Sequence, residues 1–196
     1  MKKILWVAVA LMTGLFLSCS LETSFEESES DDFSFKSASA SSGSSEVLLQ
    51  GFHWEAHQQD WYDVIASKGS EIEDAGFTMM WFPPASQTVD DEGYLPGKLY
   101  DLNSAYGTQS ELVSAISSLG SVEAIADIVI NHRCGSYQID GKWHGFEQPD
   151  WGNWAVVCNN TGQDGGTGNW DTGEDCYYAP DVDHQNSTVR SDIKDW

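Results

Sequence analysis

The run Val122-Glu123-Ala124-Ile125-Ala126-Asp127-Ile128-Val129-Ile130 constrains the fold of this chain more than any other feature, because only Glu123 and Asp127 interrupt it. A stretch that is apolar on both sides reads as a strand covered on both faces, as in parallel sheets whose crossover helices lie over each side. The chain ahead of it supplies both strands and helices. Val47 to Phe52 and Phe77 to Phe82 are two further short apolar strands, the second ended by Pro83-Pro84. Between them Trp61, Val64, Ile65, Ile72 and Ala75 recur near helical spacing, and Gly76 supplies a C-terminal stop. Thr108 and Glu111 stand at capping-box spacing ahead of Leu112, Val113, Ile116 and Leu119, which line one helix face, and Gly120 closes that helix. The order strand, helix, strand, helix, strand predicts an α/β fold with a parallel sheet.

After Asn131 the periodicity stops. From about Cys134 to His184 the chain is rich in glycine and holds Trp143, Trp151, Trp154 and Trp170, with nine acidic residues against one lysine. A structureless loop of that length is not expected inside a compact domain, so the segment predicts a subdomain with short strands, organised by a metal. Its Asp, Asn and Gly content suits calcium, which takes roughly six to eight oxygen ligands. The tryptophans read as its core. Asp127, inside a buried strand, reads as a hydrogen-bond acceptor because an unpaired buried charge is too costly, whereas Asp90, Asp91 and Asp101 read as solvated loop acids. Ser191 to Trp196 reads as the start of a third helix.

The N-terminal region belongs to transport. Lys2 and Lys3 precede an apolar run from Ile4 to Leu17, which is 14 residues long. That suits a signal peptide and falls short of the roughly 20 residues a membrane span needs. The run ends Phe16-Leu17-Ser18-Cys19, which resembles a bacterial lipoprotein signal in which the cysteine is acylated. From Ser20 to Glu46 eleven serines and seven acidic residues face one lysine, a composition that forms no core and behaves as a flexible tether. The expectation is an exported chain held at a membrane through a lipid on Cys19. Three cysteines remain, Cys134, Cys158 and Cys176, and an odd count allows at most one internal pair; the spacing leaves the pairing open. With 9 basic against 31 acidic residues the net charge is −22, which excludes nucleic acid as a partner.

Four blocks carry a resemblance when taken in order. They are Gly93-Tyr94-Leu95-Pro96-Gly97-Lys98-Leu99-Tyr100-Asp101-Leu102, Asp127-Ile128-Val129-Ile130-Asn131-His132, Gly168-Asn169-Trp170-Asp171-Thr172-Gly173-Glu174-Asp175, and Ala179-Pro180-Asp181-Val182-Asp183-His184. Over residues 47 to 196 the chain resembles the α-amylase family of retaining glycoside hydrolases, and the plant-type members above all. The resemblance implies a (β/α)8 TIM barrel whose third strand gives way to a protruding calcium-binding subdomain. The organisation expected on that basis is a signal over 1–19, a tether over 20–46, barrel strands one to three with two helices over 47–133, the inserted subdomain over 134–184, and the start of barrel helix three over 185–196. A complete barrel takes about 250 residues, so three of eight units are expected.

By the same resemblance Asn131, Asp171 and Asp181 give side-chain oxygens to calcium, Glu174 gives a backbone carbonyl, and Asp175 lies at an additional calcium position. His132 hydrogen-bonds the sugar at the cleavage subsite, and Tyr94 stacks on that sugar. The family's nucleophile and acid/base carboxylates fall on later strands, which predicts that no residue of this chain is catalytic and that it is inactive alone. The substrate implied is a starch-like α-glucan cut at internal α-1,4 bonds. Two other classes compete with that reading, a non-catalytic surface glucan-binding lipoprotein and a calcium-stabilised structural fragment, as does a neighbouring specificity within the family.

Overall fold

The computed structural model describes residues 45–160 and 166–196, together with the backbone of a two-residue strand at Leu5–Trp6. The expected signal, Cys19 and the tether otherwise lie outside the described residues. Two units divide the chain, one of residues 1–9 with 46–196 and one of 10–45; the second, apart from Ser45, is outside the described residues.

Strands β1 (Leu5–Trp6), β2 (Leu48–Gln50), β3 (Met79–Phe82) and β6 (Glu123–Ala126) form one parallel sheet in the order β1-β6-β3-β2. Register is tight, with Leu48 opposite Met79 and Met79 opposite Glu123. Helix α1 (Trp61–Asp74) joins β2 to β3. Between β3 and α2 (Gln109–Ser118) a loop carries the short antiparallel pair β4 (Gln87–Thr88) and β5 (Pro96–Lys98). The chain is α/β, as its periodicity predicts.

Strand β6 is shorter than the apolar run suggests. Pairing stops at Ala126, and Asp127 to Ile130 run on without ladder partners. Its outer edge is bonded by β1, with Leu5 opposite Ile125, so a piece of the expected signal segment occupies the position beside β6. An unpaired edge of this kind attracts any apolar segment with free backbone groups.

Side-chain period fixes the core. Met80 and Phe82 alternate inward from β3 and meet Tyr62 and Ile65 of α1, Leu112 and Ala115 of α2, and Leu119. Burying such side chains contributes roughly 1.5–3 kcal/mol each. Val113, expected on the apolar face, is instead exposed, and Ala115 takes the inner position. The capping box at Thr108 forms as expected, with Glu111 N–H donating to Thr108 Oγ1 at 3.3 Å and Thr108 N–H to Glu111 Oε2 at 2.6 Å. Helices were expected over both faces; α1 and α2 share this one core, and α3 (Ser187–Asp195) packs elsewhere.

Helix α1 presses its buried Gly69 against the Ser118 carbonyl at the end of α2, where an added Cβ would overlap the backbone. A helix-interior Gly→Ala change ordinarily stabilises by about 1 kcal/mol. Here the sign reverses, and Gly69→Ala is expected to cost roughly 1–3 kcal/mol in urea unfolding because backbone cannot move aside cheaply. A stabilised variant would mean that the helices separate freely.

The excursion has its own core. Leu99, Phe146, Trp151, Ala155, Val156 and Val182 pack with Val189, Ile193 and Trp196 of α3 and its end. Strands β7 (Tyr137–Ile139) and β8 (Lys142–His144) form a hairpin, and isolated bridges join Phe146 to Trp151 and Val156 to Val182. Helix α3 begins four residues before the expected start because Asn186 caps it, its side chain accepting from Thr188 N–H at 2.9 Å. Of the four tryptophans only Trp151 is fully in the core; Trp170 is 67% exposed.

Candidate functional site

Side chains at the C-terminal ends of three parallel strands converge. Trp54 follows β2, Tyr94 sits in the loop after β3, and Asp127 and His132 follow β6. The Tyr94 loop is held by Asp90, whose two carboxylate oxygens accept from the N–H groups of Tyr94 at 3.0 Å and Leu95 at 2.8 Å. Asp90 is therefore a loop clamp, which corrects the expectation of a solvated acid. Tyr94 O–H donates to Asp127 Oδ2 at 3.1 Å, and its ring lies parallel to that of Trp54, with centroids 6.1 Å apart and planes 6° apart. Burial, then the neighbouring Asp127 charge, pushes the Tyr94 phenol well above its usual range. Asp127 is itself raised by burial, against the pull of hydrogen bonds from Tyr94 and Trp81. It lies just past the strand rather than within it, and it accepts side-chain hydrogen bonds as expected.

His132 reaches into the same cluster. Its Nε2 stands 2.7 Å from the Tyr94 carbonyl oxygen, and a carbonyl only accepts, so Nε2 carries the proton. Nδ1 is buried and has no hydrogen-bond partner among the described residues. Buried polar atoms are paired in the great majority of cases, so this orphaned ring nitrogen is an acceptor still lacking a donor, on a ring whose charge acts on Asp181.

A second cluster adjoins the first at residues 131 and 132, His132 being bridged antiparallel to Asp181 and its charge lowering the Asp181 pKa. Asn131 Nδ2 donates to Asp181 Oδ1 at 3.2 Å, although 50 positions separate them. The Cys176 N–H donates to the same oxygen at 3.3 Å. Asp181 is 2% exposed, and its Oδ2 has no hydrogen-bond partner among the described residues. Burial raises its pKa, the Cys176 N–H opposes that shift, and Asp175 and Asp171 raise it further through their charges. Asp171 Oδ1 accepts from Gly173 N–H at 3.0 Å. Glu174 is exposed. The structure thus brings Asn131 to Asp181, sets Asp171 and Asp175 within electrostatic reach, and brings Tyr94 to His132. Among the described residues no three His, Cys, Asp or Glu side chains converge as a metal cluster.

Two residues escaped the sequence reading. Trp54 is 65% exposed, and its signal was a lone aromatic just past a strand end. Arg133 is 1% exposed and, among the described residues, has no acidic partner within ion-pair distance; its Nε and Nη1 donate to the carbonyls of Gly97 and Pro149 at 2.9 Å each, and Nη2 donates to that of Glu147. Its guanidinium lies 4.7 Å from the centre of the Trp151 ring. Burial lowers its pKa to about 10. Arg133 ties the β5 loop, the excursion and the end of β6 together beside both clusters.

No protein-family model matches the chain. Among curated proteins, the chloroplastic α-amylase 3 of Arabidopsis thaliana is 37% identical over 175 residues, which is 87% of this chain and 20% of that protein. A probable α-amylase 2 of the same plant is 43% identical over 157 residues, 77% of this chain and 37% of that protein. The glucan 1,4-α-maltotetraohydrolase of Stutzerimonas stutzeri is 31% identical over 110 residues, 48% of this chain and 20% of that protein. The chain spans between a fifth and little more than a third of the length of these relatives.

Proposed function

Because this chain belongs to the α-amylase family, we propose that it is the N-terminal part of an enzyme that cuts internal α-1,4-glucosidic bonds of starch-like glucans with retention of configuration. The observation that carries the proposal is the cluster of Trp54, Tyr94, Asp127 and His132 at the strand ends, where barrel enzymes assemble their sites. The parallel sheet, with the edge of β6 bonded among the described residues by Leu5 and Trp6, supports reading it as the first three strands of a (β/α)8 barrel. A cavity of about 360 Å3 between α2 and the ends of β3 and β6, lined by Phe82, Leu112, Ile116, Ala126 and Trp196, leaves apolar surface for further barrel elements.

Retaining hydrolysis takes a nucleophilic carboxylate and, about 5–5.5 Å away, a carboxyl that acts as acid and then base. Asp127 is engaged by Tyr94 and Trp81. The resemblance places neither catalytic carboxyl within these residues. What this chain contributes is the sugar's seat: the Tyr94 ring as a stacking face and His132 Nδ1 as a partner for a sugar hydroxyl. The protein carrying this sequence should release reducing sugar from soluble starch, and the 196-residue chain alone should release none. Hydrolysis by the short chain would sink the proposal.

Calcium fits the second cluster. Its donors are oxygens, as a hard cation requires, and a buried carboxylate oxygen without a partner is what an ion would satisfy. Asn131, Asp171 and Asp181 would hold it through side chains, Glu174 through its carbonyl, with Asp175 beside them. An ion there would neutralise the buried Asp181 charge and join the two ends of the excursion. Chelation is expected to lower the melting temperature by calorimetry, and Asp181→Ala to remove that sensitivity. Full retention of calcium stabilisation by Asp181→Ala contradicts this assignment.

A membrane address is proposed on the sequence alone. Labelling cells with a palmitate analogue should mark the protein, and Cys19→Ala should abolish both the label and membrane association. Release of an unlabelled wild-type protein counts against acylation. A neighbouring glucan specificity is the second reading, favoured by the 31% identity to a glucan 1,4-α-maltotetraohydrolase.

A further inference from the structure

Cys134 and Cys176 stand about 40 residues apart in sequence, one just beyond the end of the β6 run and the other in the loop of acidic residues. Backbone pairing brings their surroundings together. Val182 N–H donates to the Asn131 carbonyl at 2.9 Å, Arg133 N–H donates to the Pro180 carbonyl at 3.1 Å, and His132 is bridged antiparallel to Asp181. Residues 131–134 therefore run beside 179–182. The segment before Ala179 then folds back, since the amide of Cys176 rests on the Asp181 carboxylate and Trp143 Nε1 donates to the Tyr178 carbonyl at 2.8 Å. That turn carries Cys176 toward Cys134, whose thiol is pushed up by burial, then by the charges of Asp90 and Cys176. Cys134 is wholly buried, Cys176 half-buried, and the three cysteines among the described residues, Cys134, Cys158 and Cys176, are free thiols in this structure. Cys158 is exposed, its amide bonded to the Asn169 carbonyl at 3.2 Å.

We propose that Cys134 and Cys176 form a disulfide that fastens the 171–181 loop to the chain leaving β6 and leaves Cys158 as the free thiol. The bond holds Asp181 against Asn131 whether or not the protein cleaves glucans. Its oxidant is an external disulfide, either that of a thiol–disulfide oxidoreductase or oxidised glutathione. The more accessible Cys176 thiolate attacks one sulfur of that disulfide and expels the other as a thiolate, giving a mixed disulfide. The Cys134 sulfur then attacks Cys176 Sγ and expels the second thiolate. Two protein thiols are oxidised, one external disulfide is reduced to two thiols, and the protons from Cys134 and Cys176 pass to the departing thiolates. Closing a loop of about 40 residues constrains the unfolded chain and should raise the melting temperature by roughly 10 °C.

The test is peptide mapping of protein taken from its native cells, acid-quenched, alkylated with N-ethylmaleimide and cut with trypsin and a protease specific for the bond before aspartate. The expected product is the peptide 134–139 linked to the peptide 175–180, with Cys158 alkylated in the peptide 150–163. Recovery of Cys134 and Cys176 both alkylated, or of either joined to Cys158, overturns the assignment. In a second arm, tris(2-carboxyethyl)phosphine should lower the melting temperature of wild type and Cys158→Ser by the same amount. It should have no effect on Cys134→Ser or Cys176→Ser. Equal sensitivity in all four proteins also overturns it.

Discussion

Replacing Arg133 with methionine is expected to lower folding stability by about 3–5 kcal/mol, among the largest losses a single substitution here can give. The guanidinium is buried, and its three hydrogen bonds go to backbone carbonyls of Gly97, Glu147 and Pro149 rather than to a carboxylate. Methionine fills much of the volume but donates nothing, so three carbonyls lose their partner at roughly 1–3 kcal/mol for each left dry. The stack on Trp151, worth about 0.5–2 kcal/mol, goes as well. Water reaching some of the carbonyls, and relief from burying a cation, bring the sum down to the stated range. Arg133→Lys should recover less than half, because an ammonium cannot address three carbonyls with the geometry of a planar fork. Urea unfolding of the purified protein measures all three. A loss below about 1 kcal/mol for Arg133→Met would show that volume alone matters at this position.

His132→Ala is expected to lower kcat/KM on maltooligosaccharides by about 2–4 kcal/mol, a range taken from other lost transition-state hydrogen bonds. The free nitrogen is Nδ1, since Nε2 is committed to the Tyr94 carbonyl at 2.7 Å. A hydrogen bond that strengthens as charge develops on the sugar lowers the barrier without supporting the fold. The melting temperature should therefore move little, by the equivalent of the single bond to Tyr94, about 1 kcal/mol. Asp181→Ala should behave in the opposite way, losing stability and calcium dependence while its sugar contacts remain. Calorimetry beside steady-state kinetics separates the two. Full turnover by His132→Ala would remove His132 from the sugar's seat.

How much of this was legible in the sequence depended on the range of the interaction. Helices α1 and α2 announce themselves because their signals are local: apolar spacing, the Thr108 box, and Gly76 and Gly120, which adopt φ of +86° and +59°. Strand β6 is shorter than its apolar run because such a run does not mark where ladder partners cease, and Asp127 to Ile130 lack them. The start of helix α3 is not legible from periodicity because its two apolar side chains, Val189 and Ile193, give too short a period, although the Asn186 cap is present in the sequence. In the site, Tyr94, Asn131, His132 and Asp181 were singled out by motif, and the structure pairs Asn131 with Asp181 and Tyr94 with His132. Arg133 could not be found that way. Its burial depends on carbonyls supplied by three distant residues, and nothing in its neighbours announces them. Trp54 was hidden for the same reason, its stacking partner lying 40 positions away.

The measurement closest to the central claim is the anomeric configuration of the first products released from maltoheptaose, followed by proton NMR before mutarotation equalises the anomers. The protein that carries this sequence, isolated from its cells, is expected to release α-anomers, as a double displacement through a covalent glycosyl-enzyme requires. Products appearing first as β-anomers, or intact maltoheptaose after prolonged incubation with calcium, would contradict the account.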